Sequence, residues 1–365
     1  MTTADLKARI AATIRPDVQR AQTYVVPAVV PNAVKLDAME NPYRLPQALQ
    51  QALGQRLGQV AINRYPGPSL PALKAALAEH AQLPAGCELM LGNGSDELIT
   101  LLTVACMQPG ATVLAPEPGF VMYHMAAQWQ GLPYVGVPLR PDFSLDAEAM
   151  VAAVQRHRPA LTFLAYPNNP TANLFDPQAM QRVIDQVGAQ GHGWVVVDEA
   201  YQPFASDSWM ARMAHQPHVL VMRTLSKFGL AGIRLGYLCG HAPVIAQLDK
   251  VRPPYNVSAL NAEAALFALE HAAHYTEQAA AIRQSREALL QQLAQLPGCT
   301  VFPSQGNMVL MRVPDASRWH QHLMHQGILV KNVSTMHPLL SECLRLTVGT
   351  PEENTALIQA LKAAP

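Results

Sequence analysis

The apolar positions of the chain fall into a repeating order. Thr112-Val113-Leu114-Ala115 predicts a strand that stops at Pro116 and Pro118, and Phe120 to Trp129 predicts a helix. Tyr134 to Val137 predicts a strand, Leu145 to Arg156 a helix, Leu161 to Ala165 a strand and Pro177 to Val187 a helix. Two further runs, Trp194-Val195-Val196-Val197 and Val219-Leu220-Val221-Met222, complete the series. These runs are apolar throughout rather than alternating with polar residues, the pattern of strands buried on both faces. Repeated strand–helix units with short connections imply a mostly parallel sheet covered by helices on both sides.

The flanks read differently. Residues 4–14 predict a short helix ending at Arg15-Pro16, and residues 16–45 are Pro-rich and irregular, like an arm laid over a surface. Leu70 to His80 predicts a helix after the turn Arg64-Tyr65-Pro66-Gly67. Val257 to about Leu296 contains neither Gly nor Pro and predicts one long or kinked helix leading out of the sheet. Short strands at 300–302, 308–313, 328–330 and 343–348 then alternate with helices at 315–326 and 351–363. The expected fold class is therefore α/β: a large domain with a mostly parallel sheet of the seven-stranded type, plus a smaller α+β domain. The expected division is an N-terminal arm over 1–42, a large domain over 43–256 and a small domain over 257–365.

Polar residues gather where the buried runs end. The run at 194–197 delivers Asp198-Glu199-Ala200-Tyr201, and the run at 219–222 delivers Arg223-Thr224-Leu225-Ser226-Lys227, with Arg234 seven residues further on. The carboxyl edge of an open α/β sheet is where ligands bind. An acid, two hydroxyls, a lysine and an arginine at that edge suit a cofactor with a basic ring nitrogen, a phosphate and an aldehyde, namely pyridoxal phosphate. Lys227 is the candidate nucleophile, since a lysine amine condenses with an aldehyde. Asp198 is the candidate partner of the ring nitrogen, with a turn cap as its other reading. Tyr201 either reaches the cofactor's phenolic oxygen or packs as an ordinary aromatic. Thr224, Ser226 and Arg234 are candidate phosphate ligands, the arginine for its fork of donors.

Gly92-Asn93-Gly94-Ser95-Asp96-Glu97 opens a helix and offers first-turn amides to an anion, unless Ser95 or Asp96 simply caps it. Phe120 stacks on the ring or belongs to the core. Asn169, in Asn168-Asn169-Pro170-Thr171, donates to the cofactor oxygen or serves only the turn.

Composition narrows the field. The formal net charge is +0 and Lys/Arg-rich runs are absent, against a nucleic-acid partner. No apolar run is long enough for a membrane span, and the first residues do not read as a signal peptide. The five cysteines lack a C-x-x-C pattern and read as free thiols of a cytoplasmic protein. No metal site is expected; His271 and His274 share a helix face, but a lone pair is weak evidence.

In order and spacing, several motifs carry a family resemblance. They are Lys35-Leu36-Asp37-Ala38-Met39-Glu40-Asn41-Pro42, Arg64-Tyr65-Pro66, Gly92 to Glu97, Pro167 to Thr171, Val197 to Tyr201, Thr224 to Lys227, Leu230 to Tyr237 and Cys343 to Thr350. Together they resemble the fold-type I pyridoxal-phosphate aminotransferases and, within them, the branch acting on histidinol phosphate. The resemblance implies that Lys227 bonds to the cofactor and moves the substrate proton. It implies that Asn169, Asp198, Tyr201, Ser226 and Arg234 hold the cofactor, with Ser95, Asp96, Phe120 and Thr224 remaining candidates as read above. It implies a homodimer in which Tyr65 reaches the partner's cofactor phosphate. Arg345 is expected to bind the substrate anion, with Tyr24, Asn41 and Lys331 nearby, and the Asn169-Pro170 bond is expected to be cis. The implied substrates are histidinol phosphate and glutamate or 2-oxoglutarate. An aromatic amino acid aminotransferase, an amino-acid phosphate decarboxylase or, remotely, a non-enzymatic sensor would share the cofactor residues. Three departures from the family pattern stand out: a Lys227 to Arg234 spacing one residue shorter than in many aminotransferases, Ala172 where glycine is usual and Lys331 where arginine is common.

Overall fold

The computed structural model describes residues 2–21, 33–67 and 69–364 of the chain. Its centre is a seven-stranded sheet. The order across it is Cys87–Gly92, Gly236–His241, Val219–Thr224, Trp194–Asp198, Leu161–Ala165, Val113–Glu117 and Tyr134–Pro138. Gly236–His241 runs antiparallel to both neighbours, and the other pairings are parallel.

The pleat explains why these strands carry no polar face. Val195, Val197, Val219 and Val221 pack against helices Ser69–His80, Ala147–His157 and Pro177–Ala189. The intervening Val196, Leu220 and Met222 pack on the other side, against Ser95–Ala105, Val121–Trp129 and Ala242–Leu248. Each of these side chains is fully buried. Each such burial stabilises the fold by roughly 1.5–3 kcal/mol.

A second layer completes the molecule. Lys331–Asn332, Cys343–Thr347, Met308–Arg312 and Thr300–Val301 form an antiparallel sheet. The arm contributes Val34–Lys35, which pairs in parallel with Ile328–Leu329. Its Leu36 is buried in the same core as Leu346, Leu357 and Trp319.

Several details refine or differ from the sequence expectation. The strand at 113 passes through Pro116 to Glu117. Its pairing with Leu161–Ala165 ends at Leu114, so the missing proline N–H interrupts no ladder on that side. Gly236–His241 and Ala242–Leu248 add a strand and a helix where the pattern gave none. The segment from 257 divides into Ala259–Glu270 and Ala272–Leu293 at His271, whose backbone leaves the helical region with φ −110° and ψ 27°.

Candidate active site

Ten residues singled out by sequence line one cavity at the carboxyl edge of the sheet: Ser95, Asp96, Phe120, Asn169, Asp198, Tyr201, Thr224, Ser226, Lys227 and Arg234. Met39, Tyr123, Ala165, Pro167 and Ala200 complete its lining.

Lys227 follows the strand Val219–Thr224, in a turn whose Gly229 has φ +130°. Its Nζ donates to the main-chain oxygen of Ala38 at 3.2 Å and lies 5.7 Å from the centre of the Tyr201 ring. Burial brings its pKa down to about 8, helped by the positive charges of Arg345 and Arg234 and opposed by Glu40. A neutral amine is therefore accessible close to physiological pH.

Asp198 ends the adjacent strand and is buried. Burial pushes its pKa up to about 6, against the lowering effect of two hydrogen bonds. Tyr123 donates its hydroxyl to Oδ2 at 2.7 Å, and the Ala200 amide donates to Oδ1 at 3.0 Å. Tyr123 was not a candidate from sequence. It lies in an apolar helix and stacks on Phe163 at 4.4 Å, so a core aromatic was all its context signalled.

Anion-binding groups meet beside Ser226. Thr224 Oγ1 donates to Ser226 Oγ at 3.0 Å, and Arg234 Nη1 approaches the same oxygen at 3.4 Å. Arg234 also pairs with Asp96 at 3.1 Å. The helix Ser95–Ala105 begins after Gly94, and neither Ser95 nor Asp96 caps it. Its first amides thus remain available to an anion. Two features favour glycine at 94: its φ is +85°, and a Cβ would lie 2.7 Å from Arg234 Nη2.

Asn169 connects this edge to the small sheet. Its Nδ2 donates to the Tyr201 hydroxyl at 3.1 Å, and its Oδ1 accepts from Arg345 Nη1 at 2.8 Å. Arg345 Nη2 donates to the main-chain oxygen of Asp37 at 2.9 Å. The Asn169-Pro170 bond is cis, and Ala172 has φ +64°, where glycine would sit without strain.

Other expected residues lie elsewhere. Asn41 does not line the cavity; its amide is taken up by Gln278 and the Tyr43 N–H. Lys331 is not in the lining either, but stands opposite Arg345 in the antiparallel register. Tyr65 is 80% exposed, away from its own cavity, and stacks on Tyr255 at 4.6 Å. Tyr24 falls outside the described residues. Among the described residues, no group of three His, Cys, Asp or Glu is placed to hold a metal, and no helix is long and apolar enough to cross a membrane.

A mostly parallel sheet with lysine, acid and arginine at its carboxyl edge is the arrangement a pyridoxal-phosphate enzyme requires. The family model for aminotransferase class I and II matches residues 31–361, and the chain belongs to that family. Within it, the chain is 63% identical over 359 residues to histidinol-phosphate aminotransferase of Methylibium petroleiphilum, covering 98% of this chain and 96% of that protein. It is 60% identical to histidinol-phosphate aminotransferase of an Acidovorax species, covering 100% of both. Among solved structures, histidinol-phosphate aminotransferase of Sinorhizobium meliloti in complex with pyridoxal-5'-phosphate superposes with a TM-score of 0.81 at 26% identity, covering 96% of this chain and 97% of that one.

The donor set fits pyridoxal phosphate. Uncapped helix amides, two hydroxyls and a guanidinium converge as a phosphate requires. Asp198, whose partners among the described residues are a phenol and an amide, suits a cationic ring N–H. Lys227 Nζ faces the same cavity with a lowered pKa.

Proposed function

We propose that the chain is a pyridoxal-phosphate-dependent transaminase that exchanges an amino group between histidinol phosphate and 2-oxoglutarate in histidine biosynthesis. The convergence of Lys227, Asp198 and Arg234 in one cavity carries this reading, in a chain 63% identical to a histidinol-phosphate aminotransferase over nearly its full length. When bound, the cofactor supplies an aldehyde and an electron-accepting ring.

The chain's residues do the rest. Lys227 Nζ, a nucleophile only when neutral, would hold the cofactor through its aldehyde, and would carry the proton to and from the substrate α-carbon. Asp198 holds the ring nitrogen protonated, and Tyr123 holds Asp198. Asn169 and Tyr201, already hydrogen-bonded to each other, would hold the ring oxygen. Ser226, Thr224, Arg234 and the amides of Ser95 and Asp96 anchor the phosphate, and Phe120 walls the ring.

Arg345 receives the substrate anion. Its fork of donors fits a carboxylate or a phosphate ester, which suits a site that takes two substrates in turn. Lys331, its cross-strand neighbour, adds a second cation without a fork, and Tyr24 of the arm closes over the substrate. Tyr65 serves the partner's site in a homodimer, a reading supported by its exposure and its distance from its own cavity. The division into an arm over 1–42, a large domain over 43–256 and a small domain over 257–365 follows the same scheme, and the protein works in the cytoplasm.

The test is a half-reaction. Histidinol phosphate added to the yellow holoenzyme, with no keto-acid present, bleaches the cofactor band, and 2-oxoglutarate restores it. A band that bleaches only with phenylalanine overturns the substrate. A protein that never holds a yellow cofactor overturns the roles of Lys227 and Asp198.

A further inference from the structure

Asn41 stays out of the cavity, yet its amide is a meeting point of three elements. The Tyr43 N–H donates to Asn41 Oδ1 at 2.9 Å, and Asn41 Nδ2 donates to Gln278 Oε1 at 2.9 Å. Gln278 Nε2 continues the chain to His274 Nε2 at 2.9 Å. The direction of this chain is fixed at its first link, because a main-chain N–H only donates. Asn41 must then turn its NH2 toward Gln278, and Gln278 must turn its NH2 toward His274 Nε2. Gln278 is buried, so a broken link leaves an amide without water to replace it.

The same amide braces the turn that carries Lys227. A Cβ on Gly229 would lie 3.0 Å from Asn41 Nδ2 and 2.9 Å from Tyr275 Cδ1. Tyr275 in turn stacks on Phe228 at 5.0 Å. On its other side, Asn41 ends a stretch that enters the site through main-chain oxygens. Asp37 O accepts from Arg345, Ala38 O from Lys227 Nζ and Met39 O from Asn307 Nδ2. Met39 holds φ +52°, a region that costs energy for a residue with a side chain. It stays there because its N–H is also committed, to Thr347 Oγ1 at 3.0 Å.

We propose that Asn41 and Gln278 are positioning residues for Lys227: their directional amide chain clamps residues 37–41 against the turn at 227–229. The clamp keeps the Ala38 oxygen on the amine and water away from it. This deepens the proposed function, and rests on it for the identity of the two substrates.

The test compares Gln278→Met, which removes the acceptor, with Gln278→Glu, which keeps an oxygen facing Asn41. Pyridoxal phosphate is added to cofactor-stripped protein, and the rate at which the yellow band appears is followed against pH. In the parent protein this rate should rise with a midpoint set by the Lys227 amine, about pH 8. In Gln278→Met the midpoint should move up by about one unit, as water reaches the amine. Its kcat should fall about tenfold, with both KM values changed less than about twofold, the signature of misplacement rather than lost substrate contact. Gln278→Glu should restore both readouts. Asn41→Ala should match Gln278→Met, and the double variant should be no worse than either.

An unchanged midpoint and kcat in both Gln278→Met and Asn41→Ala overturns the proposal. So does a rise in one substrate's KM alone, which would return Asn41 to substrate contact. If Gln278→Glu is as impaired as Gln278→Met, the site needs amide packing and not the clamp. Failure of the substrate assignment shows separately, as a parent holoenzyme that histidinol phosphate does not bleach.

Discussion

Asp198 and Glu199 are consecutive carboxylates, both buried, at the end of the same strand. The pleat sends them to opposite faces. Glu199 is fully matched: Arg223 Nε donates to its Oε2 at 2.9 Å, Ser208 Oγ to the same oxygen at 3.0 Å, and the Trp209 N–H to Oε1. Among the described residues, Asp198 has only the Tyr123 hydroxyl and the Ala200 amide. A paired buried charge fastens two strand ends together. A buried charge left without a cation waits for one, and keeping it ionised costs stability until a ligand supplies the positive partner. Pairing, not burial or residue type, separates the structural acid from the one suited to chemistry.

Asp198→Asn should break this contrast most severely. It keeps an oxygen for Tyr123 but cannot hold a ring nitrogen protonated. The half-reaction with histidinol phosphate should slow by about 10³-fold, the upper range for losing one preorganised electrostatic group. The same change should stabilise the cofactor-free protein. With a folded pKa of about 6 against the ordinary 3.8, Asp198 binds its proton more tightly when folded. Its contribution is favourable below about pH 4 and is lost as pH rises through 6, so an asparagine should gain on the order of 2 kcal/mol at pH 7. Urea unfolding of both stripped proteins checks this; equal midpoints at pH 7 would mean the carboxylate is not strained.

Glu199→Gln should do the reverse. It leaves the Arg223 charge buried without its partner and should cost about 3 kcal/mol of stability, while the folded fraction keeps its half-reaction rate. Adding Arg223→Met should recover part of that loss, measured by the same unfolding series. Tyr123→Phe comes next. Removing a hydrogen bond to the anion raises the Asp198 pKa further, by about one unit. The half-reaction rate should then fall several-fold, about 1 kcal/mol, and more at low pH than at high pH; a loss independent of pH would point to packing instead. The smallest effect is expected at Gly94→Ala. Its Cβ presses on Arg234, a side chain with room to move because it is nearly half exposed. Cofactor affinity should weaken roughly tenfold or less, about 1 kcal/mol, by titration of the stripped protein.

Much of the sheet was legible because its strands are continuously apolar and end in polar residues. Lys227, Asp198, Thr224, Ser226 and Arg234 follow two such strands closely, so finding the strands found one wall of the cavity. The opposite wall was harder. Residues 37–39 act through carbonyl oxygens, which every residue possesses, so the motif at 35–42 did not show how they reach the site. Tyr123 looked like any core aromatic until Asp198 appeared at its hydroxyl. Gln47–Gly58 buries none of its residues and is tied down by Arg56 to Glu263 and Glu270, distant partners that no local pattern predicts. The break at His271 is a backbone event within a segment of good helix formers.

The main-chain grip on the two cations has an evolutionary side. Because the acceptors for Arg345 and Lys227 are the carbonyls of Asp37 and Ala38, neither contact depends on which side chains occupy those positions. Mutation can therefore explore residues 37 and 38, on the rim of the site, while the reactive amine keeps its anchor. A chain built this way can drift toward new amino donors through single substitutions without first disabling its chemistry, provided the backbone path through Met39 is kept.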